Sequence, residues 1–126
     1  MYIDRRLLLD ETPDQAVEQI RETLGEIGYE YTLERGAYHM GWKLPRNARP
    51  VEAVAEGIRA MLGREPEIRT SKWTIDTGFV NKVMNIPCID YGPMDIRFAH
   101  ADDDVVELDR VYDATKVHAF VGLRGA

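Results

Sequence analysis

The spacing of apolar side chains along this 126-residue chain predicts several helices, two of them with clear ends. Apolar residues recur at helical spacing over residues 13–27 and again over residues 51–62. Thr12 precedes the first stretch and Gln15 follows three residues later, which is the spacing of a helix capping box. Gly63 ends the second stretch, and glycine is the commonest residue just after a helix. We therefore expect two amphipathic helices.

Two further helices are predicted in the second half of the chain. Asp76 or Thr77 could cap a brief helix that carries Phe79 and Val80. Asp104 is the expected N-cap of a long terminal helix, because Glu107 follows at capping-box spacing. The predicted buried face of this terminal helix consists of Leu108, Val111, Tyr112, Thr115 and Ala119.

Other stretches alternate apolar and polar residues or form short apolar runs, which favours strands. Strands are predicted over residues 2–9, within 29–44 as two short strands or one broken hairpin, over 67–70, and over 86–91. Helices and strands alternate in this scheme. The expected fold class is therefore α/β, or α+β overall.

A polar connector with two prolines, residues 44–50, is the best candidate for a domain boundary. It divides the chain into a β-α-β-β unit over residues 1–44 and a second part over residues 45–126.

Composition excludes some classes of function. The formal net charge is −6 and no Lys/Arg cluster occurs, so a nucleic-acid footprint and an anionic membrane surface are both disfavoured. The charged start of the chain does not look like a signal peptide, and no apolar run reaches the length of a membrane span. Cys88 is the single cysteine and cannot form an internal disulfide, so a cytoplasmic setting is expected.

His100 is the candidate for chemistry, since it follows the strand predicted over 86–91 and its Gly-Pro turn. Imidazole can bind a metal or transfer protons, but an ordinary loop histidine is the simpler interpretation. Asp102, Asp103 and Asp104 add carboxylates, although a solvated acidic loop before a helix explains them as well. Asp76 could likewise be a plain helix cap or part of an anion site.

Several short motifs, in order along the chain, resemble the C-terminal part of the two-metal amidohydrolases. That family includes aminoacylase, acetylornithine deacetylase, succinyl-diaminopimelate desuccinylase and carboxypeptidase G. The matching motifs are Ile3-Asp-Arg-Arg6, Asp10-Glu-Thr-Pro13, Gly63-Arg-Glu-Pro66, Thr74-Ile-Asp-Thr-Gly-Phe79, Asn85-Ile-Pro87, Gly92-Pro-Met94 and Ala99-His-Ala-Asp-Asp-Asp104. Each motif alone is weak, but their order and spacing agree over essentially the whole chain.

The resemblance implies half of a ferredoxin-like lid domain followed by the C-terminal strand and helix units of a phosphorylase/hydrolase-like catalytic domain. It implies that His100 binds one of two divalent metals (Zn²⁺, or Co²⁺ or Mn²⁺) that activate water and polarise an amide carbonyl. It also implies substrate-binding roles for Asp76, Thr77, Gly92 and Pro93. Met94 and Ala101-Asp102 depart from the family pattern beside this site.

The general base and the other metal ligands of that family lie in segments that do not match anything here. One histidine cannot hold a catalytic zinc, which takes about three protein ligands. The chain is therefore expected to be a fragment of a hydrolase acting on N-acyl amino acids or short peptides, inactive by itself. The alternative is a small non-enzymatic α+β module that binds a ligand or oligomerises. In both cases unpaired strand edges predict association into a homo-oligomer.

Overall fold

A computed structural model describes residues 1–39, 41–71, 73 and 75–125. All the regular structure in this part of the chain is helical. The elements are α1 (Pro13–Gly25), α2 (Arg49–Leu62), α3 (Thr77–Lys82), a 3-10 turn (Ile96–Phe98) and α4 (Leu108–Arg124). None of these helices is long and apolar enough to cross a membrane. Met40 and Thr74, which belong to patterns used in the sequence analysis, lie outside the described residues.

The predicted α/β architecture is wrong, because the described residues contain no strand and no sheet. This removes both the ferredoxin-like half lid and the strand units of a hydrolase-like domain. Alternating apolar residues define a face, but a strand also needs a neighbouring backbone to pair with and a surface to cover that face. Here Leu8 is 73% exposed and Tyr29 is 78% exposed. The strand edges expected to drive association are absent from the described residues as well.

Two of the segments predicted as strands nevertheless pass close to each other. A side chain at Gly41 would place its Cβ 3.0 Å from Leu9 Cα and 3.3 Å from the Leu8 carbonyl oxygen. Only glycine fits such an approach without moving the backbone. The two segments therefore lie side by side, although the described residues form no strand there.

The chain divides into two compact units. The first combines Met1–Lys43 with Ser71–Ile86, and the second combines Leu44–Thr70 with Pro87–Ala126. The division of the chain into a lid part and a catalytic part remains a prediction.

The first unit is organised around α1, whose predicted start is confirmed. Thr12 Oγ1 accepts a hydrogen bond from the Gln15 N–H at 3.2 Å, and the Gln15 side chain accepts one from the Thr12 N–H at 2.8 Å. Arg5 donates two hydrogen bonds to Glu11 Oε1, at 2.8 and 2.7 Å. This fork fastens the N-terminal segment to the residues just before α1.

The second unit has a small core between α2 and α4, which pack against each other. Its buried apolar residues are Val51, Ala55, Ile58, Ala114 and Val117. The helices run antiparallel, because Arg49 at the start of α2 donates to the carbonyl of Gly125 at the end of α4, at 2.5 Å. Gly63 ends α2 with φ +64°, so the predicted end of this helix is confirmed.

The prediction for the terminal helix was right about its existence and wrong about its start and its buried face. Glu107, rather than Asp104, is the residue before α4, and its side chain makes no capping hydrogen bond. Ala114 and Val117 are buried, whereas Leu108 is 82% exposed and Tyr112 is 65% exposed. α4 has apolar residues on two faces. The face that α2 covers is the one with Ala114 and Val117, not the predicted one.

Candidate functional site

His100 lies in a chain of tight turns between the 3-10 turn and α4. The backbone N–H of Ala99 donates to the carbonyl of Ile96, that of Ala101 to Phe98, and that of Asp104 to Ala101, each at 3.2 Å. His100 itself has φ +61°, in the left-handed region that most residues avoid. Its side chain is exposed. The turns therefore present an accessible imidazole on a backbone whose conformation is uncommon for a residue other than glycine.

Asp95, five positions before His100, is held by two guanidinium groups. Its carboxylate accepts hydrogen bonds from Arg97 Nε at 3.0 Å and Arg97 Nη2 at 2.6 Å, and from Arg110 Nη1 at 3.3 Å. It also accepts a hydrogen bond from the backbone N–H of Arg97 at 3.1 Å. Arg110 donates in addition to Glu107 at 3.0 Å. The Asp95 carboxylate therefore connects the 3-10 turn to the first turns of α4.

These contacts hold the pKa of Asp95 well below its ordinary value. The side-chain hydrogen bonds from Arg97 contribute most, followed by the Arg97 backbone N–H, and the positive charges of Arg97 and Arg110 add to the shift. The same pairing raises the pKa of Arg97. Because its oxygens are already engaged by donors, Asp95 has a structural role, and it is a poor choice for a metal ligand beside His100.

The acidic run that follows His100 does not complete a metal site. Asp102, Asp103 and Asp104 are all exposed. Within the described ranges, no group of three or more His, Cys, Asp or Glu side chains converges closely enough to hold a metal ion. A catalytic zinc takes about three protein ligands. The described residues therefore do not fit a divalent metal on their own.

The segment before His100 is anchored to α4 by aromatic packing. The rings of Tyr91 and His118 lie 5.4 Å apart between centroids and are tilted by 59°. Burial raises the pKa of Tyr91, the positive charge of Arg64 lowers it, and the negative charge of Asp113 raises it. His118 therefore helps to fix this segment.

Gly92 and Pro93 follow Tyr91 directly. Gly92 is exposed, and a Cβ at this position would meet nothing within 4 Å. Pro93 is half-buried. The structure therefore gives no steric requirement for glycine at position 92, and it leaves the predicted substrate contacts of both residues untested.

Asp76 and Thr77 belong to the first unit, whereas His100, Gly92 and Pro93 belong to the second. Asp76 is the residue before α3, as predicted, but its side chain makes no capping hydrogen bond. Thr77 begins α3 and is half-buried. The structure assigns these two residues a place at a helix start, and their predicted substrate-binding roles are not tested by it.

Arg97 and Arg110 are not among the site residues that the sequence predicts. The close spacing of Asp95 and Arg97 is a usable signal, because Asp side chains often accept the N–H two residues later. Arg110 is fifteen residues from Asp95. No local pattern links two residues that far apart.

Two curated relatives match almost the whole chain. The chain is 28% identical over 120 residues to a succinyl-diaminopimelate desuccinylase of Corynebacterium glutamicum. The matched region covers 93% of this chain and 30% of that protein. The chain is also 27% identical over 116 residues to a succinyl-diaminopimelate desuccinylase of Rhodospirillum centenum. In this case the matched region covers 88% of this chain and 29% of that protein. No family model matches the chain. No solved structure matches it either.

These matches support the resemblance to the metal-dependent amidohydrolases at the level of the family, not of one member. The chain spans about 30% of the length of the curated relatives it matches.

Proposed function

We propose that this chain is the His100-bearing part of a metal-dependent hydrolase that cleaves amide bonds in N-acyl amino acids or short peptides. The observation that carries the proposal is the similarity to two desuccinylases over 93% and 88% of the chain. Removal of a succinyl group from an amino acid derivative is hydrolysis of an N-acyl amide. We assign this reaction class to the complete hydrolase and do not specify the acyl group.

His100 is the residue to which we assign a metal. An exposed imidazole on a left-handed turn can point away from its own backbone, and backbone outliers of this kind are concentrated at functional sites. Zn²⁺ is the first choice, with Co²⁺ or Mn²⁺ as alternatives. The described residues supply no further ligands around His100. The remaining ligands and the general base would come from other segments of a longer hydrolase, so the 126 residues alone should be inactive.

The set of hydrogen bonds that Asp95 accepts from Arg97 and Arg110 supports this assignment indirectly. It fixes the 3-10 turn to α4, and the turn that presents His100 begins where the 3-10 turn ends. A ligand must be held in place to bind a metal well. We further propose that Gly92, Pro93, Asp76 and Thr77 contact the substrate, a small molecule or peptide, in the complete enzyme.

A non-enzymatic oligomerisation module is the second candidate. The observation that favours it is the number of large apolar side chains that are exposed, among them Leu8, Tyr29 and Leu123.

A chimera tests the hydrolase proposal. The matching 30% of the Corynebacterium glutamicum desuccinylase would be replaced by this chain, and hydrolysis of N-succinyl amino acids would be measured. We expect activity, and we expect His100→Ala to lower kcat/KM by about a hundredfold or more, because a lost ligand costs at least as much as a lost supporting residue.

His39→Ala is the matched control, since His39 is also an exposed histidine outside any helix. It should leave kcat/KM of the chimera unchanged. The proposal would be wrong if the chimera hydrolysed its substrate equally well with and without His100. Hydrolysis by the bare 126 residues would contradict the assignment of the general base to another segment.

A further inference from the structure

Four charged side chains join the loop before α4 to the first turn of α4. We call them the Asp95 cluster, and they are Asp95, Arg97, Glu107 and Arg110. The Asp95 carboxylate accepts hydrogen bonds from Arg97 and from Arg110, and Arg110 also donates to Glu107, the residue before α4. The Asp95 side chain is only 16% exposed, so these donors cover most of it.

The Asp95 cluster is better suited to holding a loop than to binding a ligand. Its two guanidinium groups and two carboxylates leave no net charge, and N–H donors already engage the oxygens of Asp95. The bond from Arg110 to Asp95 joins residues fifteen positions apart. It therefore closes a loop and restricts the conformations that the residues inside this loop can adopt.

His100 lies inside this closed loop, and its backbone requires a restraint. Its φ is +61°, and the left-handed conformation is unfavourable for residues other than glycine. The turns around it begin directly after Asp95, where the N–H of Ala99 bonds the carbonyl of Ile96 and the N–H of Ala101 bonds that of Phe98. An unfavourable backbone conformation persists only where its surroundings impose it.

We propose that Asp95 and Arg110 are positioning residues for His100. Their bond offsets the strain of the left-handed backbone and keeps the imidazole in one exposed position. Glycine at position 100 would adopt the same backbone without strain, so the strain arises from carrying an imidazole there. The value of this arrangement for catalysis rests on the function proposed above for His100, whereas its effect on the turn does not.

Amide hydrogen exchange of the full 126-residue chain tests the dependence of the turn on this bond. Arg110→Gln removes the cation that bonds Asp95, and Asp95→Asn removes the charged acceptor. Each variant should speed exchange of the Ala101 amide by about two- to fivefold, because the released turn opens more often. Arg69→Gln, which breaks an exposed ion pair with Glu67, is the control and should leave this rate unchanged. An unchanged rate in both cluster variants would overturn the proposal.

A glycine background tests whether the bond acts on the strain at His100. In the His100→Gly chain the left-handed backbone carries no strain, so Arg110→Gln should speed exchange of the Ala101 amide less than it does in the unaltered chain. An equal acceleration in the two backgrounds would contradict the proposal, because the bond would then stabilise the loop without regard to the conformation of His100.

Nuclear magnetic resonance of a chain labelled at histidine separates a local effect from general unfolding. Arg110→Gln should shift the backbone amide resonance of His100 and leave those of His39 and His118 in place. His39 lies in the first unit and His118 lies on α4, so the two report on the rest of the chain. Shifts of all three resonances would show a general structural role and overturn the positioning role.

The desuccinylase chimera tests the consequence for catalysis. Arg110→Gln should lower kcat/KM by about tenfold or more, as the loss of a supporting residue does at other sites. Arg110→Lys keeps a cation and should restore part of the loss. Equal activity of these two variants, or no loss in either, would contradict the proposal. An inactive parent chimera would instead refute the proposed function, and the exchange rates would still decide whether Asp95 and Arg110 hold the turn.

Discussion

A carboxylate bonded by two guanidinium groups resists protonation far more than one in water, and Asp95 is bonded in this way. A group whose pKa is lower in the folded than in the unfolded chain adds stability at pH values above its unfolded pKa. That contribution is lost as the pH falls through the folded pKa. For Asp95 the contribution should be complete at neutral pH and should fade below about pH 4, the ordinary Asp pKa.

Replacing Asp95 by Asn tests this account. Asp95→Asn should lower the midpoint of thermal unfolding at pH 7, because Arg97 and Arg110 lose a charged acceptor, and the difference from the unaltered chain should shrink in acid. Circular dichroism between pH 7 and pH 2.5 would measure it. Asp103→Asn, in the same exposed loop, should change little. If the unfolding midpoint of Asp95→Asn were lower by the same amount at every pH, the charge of Asp95 could not be the cause.

The sequence could predict single residues only where their partners are close along the chain. Thr12 and Gln15 were identified because a capping box is complete within four positions, and both hydrogen bonds are present. The hydrogen bond from Arg110 to Asp95 joins residues fifteen positions apart. It depends on how α4 packs against the loop that precedes it. The exposure and left-handed backbone of His100 likewise depend on turns that no spacing rule specifies.

At the scale of elements, the approach of α2 to α4 at Gly57 controls how tightly the second unit packs. A Cβ on Gly57 would lie 3.1 Å from Val117 Cγ1 and 3.3 Å from Phe120 Cδ1. Val117 is fully buried and cannot move away easily. A Cβ on Gly122, in α4, would meet no other atom within 4 Å. These two helical glycines differ mainly in their surroundings.

Substituting alanine at each glycine should therefore have opposite effects. Alanine in a helix interior gains about 1 kcal/mol over glycine, and overpacking a core costs about 1–3 kcal/mol. Gly122→Ala should raise the free energy of unfolding by up to about 1 kcal/mol. Gly57→Ala should lower it by about 1 kcal/mol once the clash is included. Urea denaturation of both variants measures this, and stabilisation by Gly57→Ala would refute the close packing.

The sequence predicted the helices well and the strands wrongly, for one physical reason. A helix satisfies its backbone hydrogen bonds within the segment, so local signals such as Thr12 and Gly63 define its ends. A strand needs a partner strand, and that partner can lie anywhere along the chain. The face of α4 was misjudged because its two apolar faces look alike in sequence, and only the packing of α2 distinguishes them.

At the scale of the whole molecule, the chain forms two compact units and matches about 30% of two desuccinylases. The similarity to desuccinylases agrees at the level of the family with the resemblance drawn from the order of short motifs. A set of metal ligands could not be assigned in the same way. Ligands converge from distant parts of a fold, and the described residues bring no such set to His100.

The metal content of the desuccinylase chimera tests the central claim most directly, because it reports on His100 independently of catalysis. Purified chimera would be equilibrated with Zn²⁺, dialysed, and analysed by inductively coupled plasma mass spectrometry. His100→Ala should retain one metal ion fewer per chain than the parent chimera, and His39→Ala should retain the full amount. Equal metal content in all three proteins would contradict the assignment of His100 as a ligand.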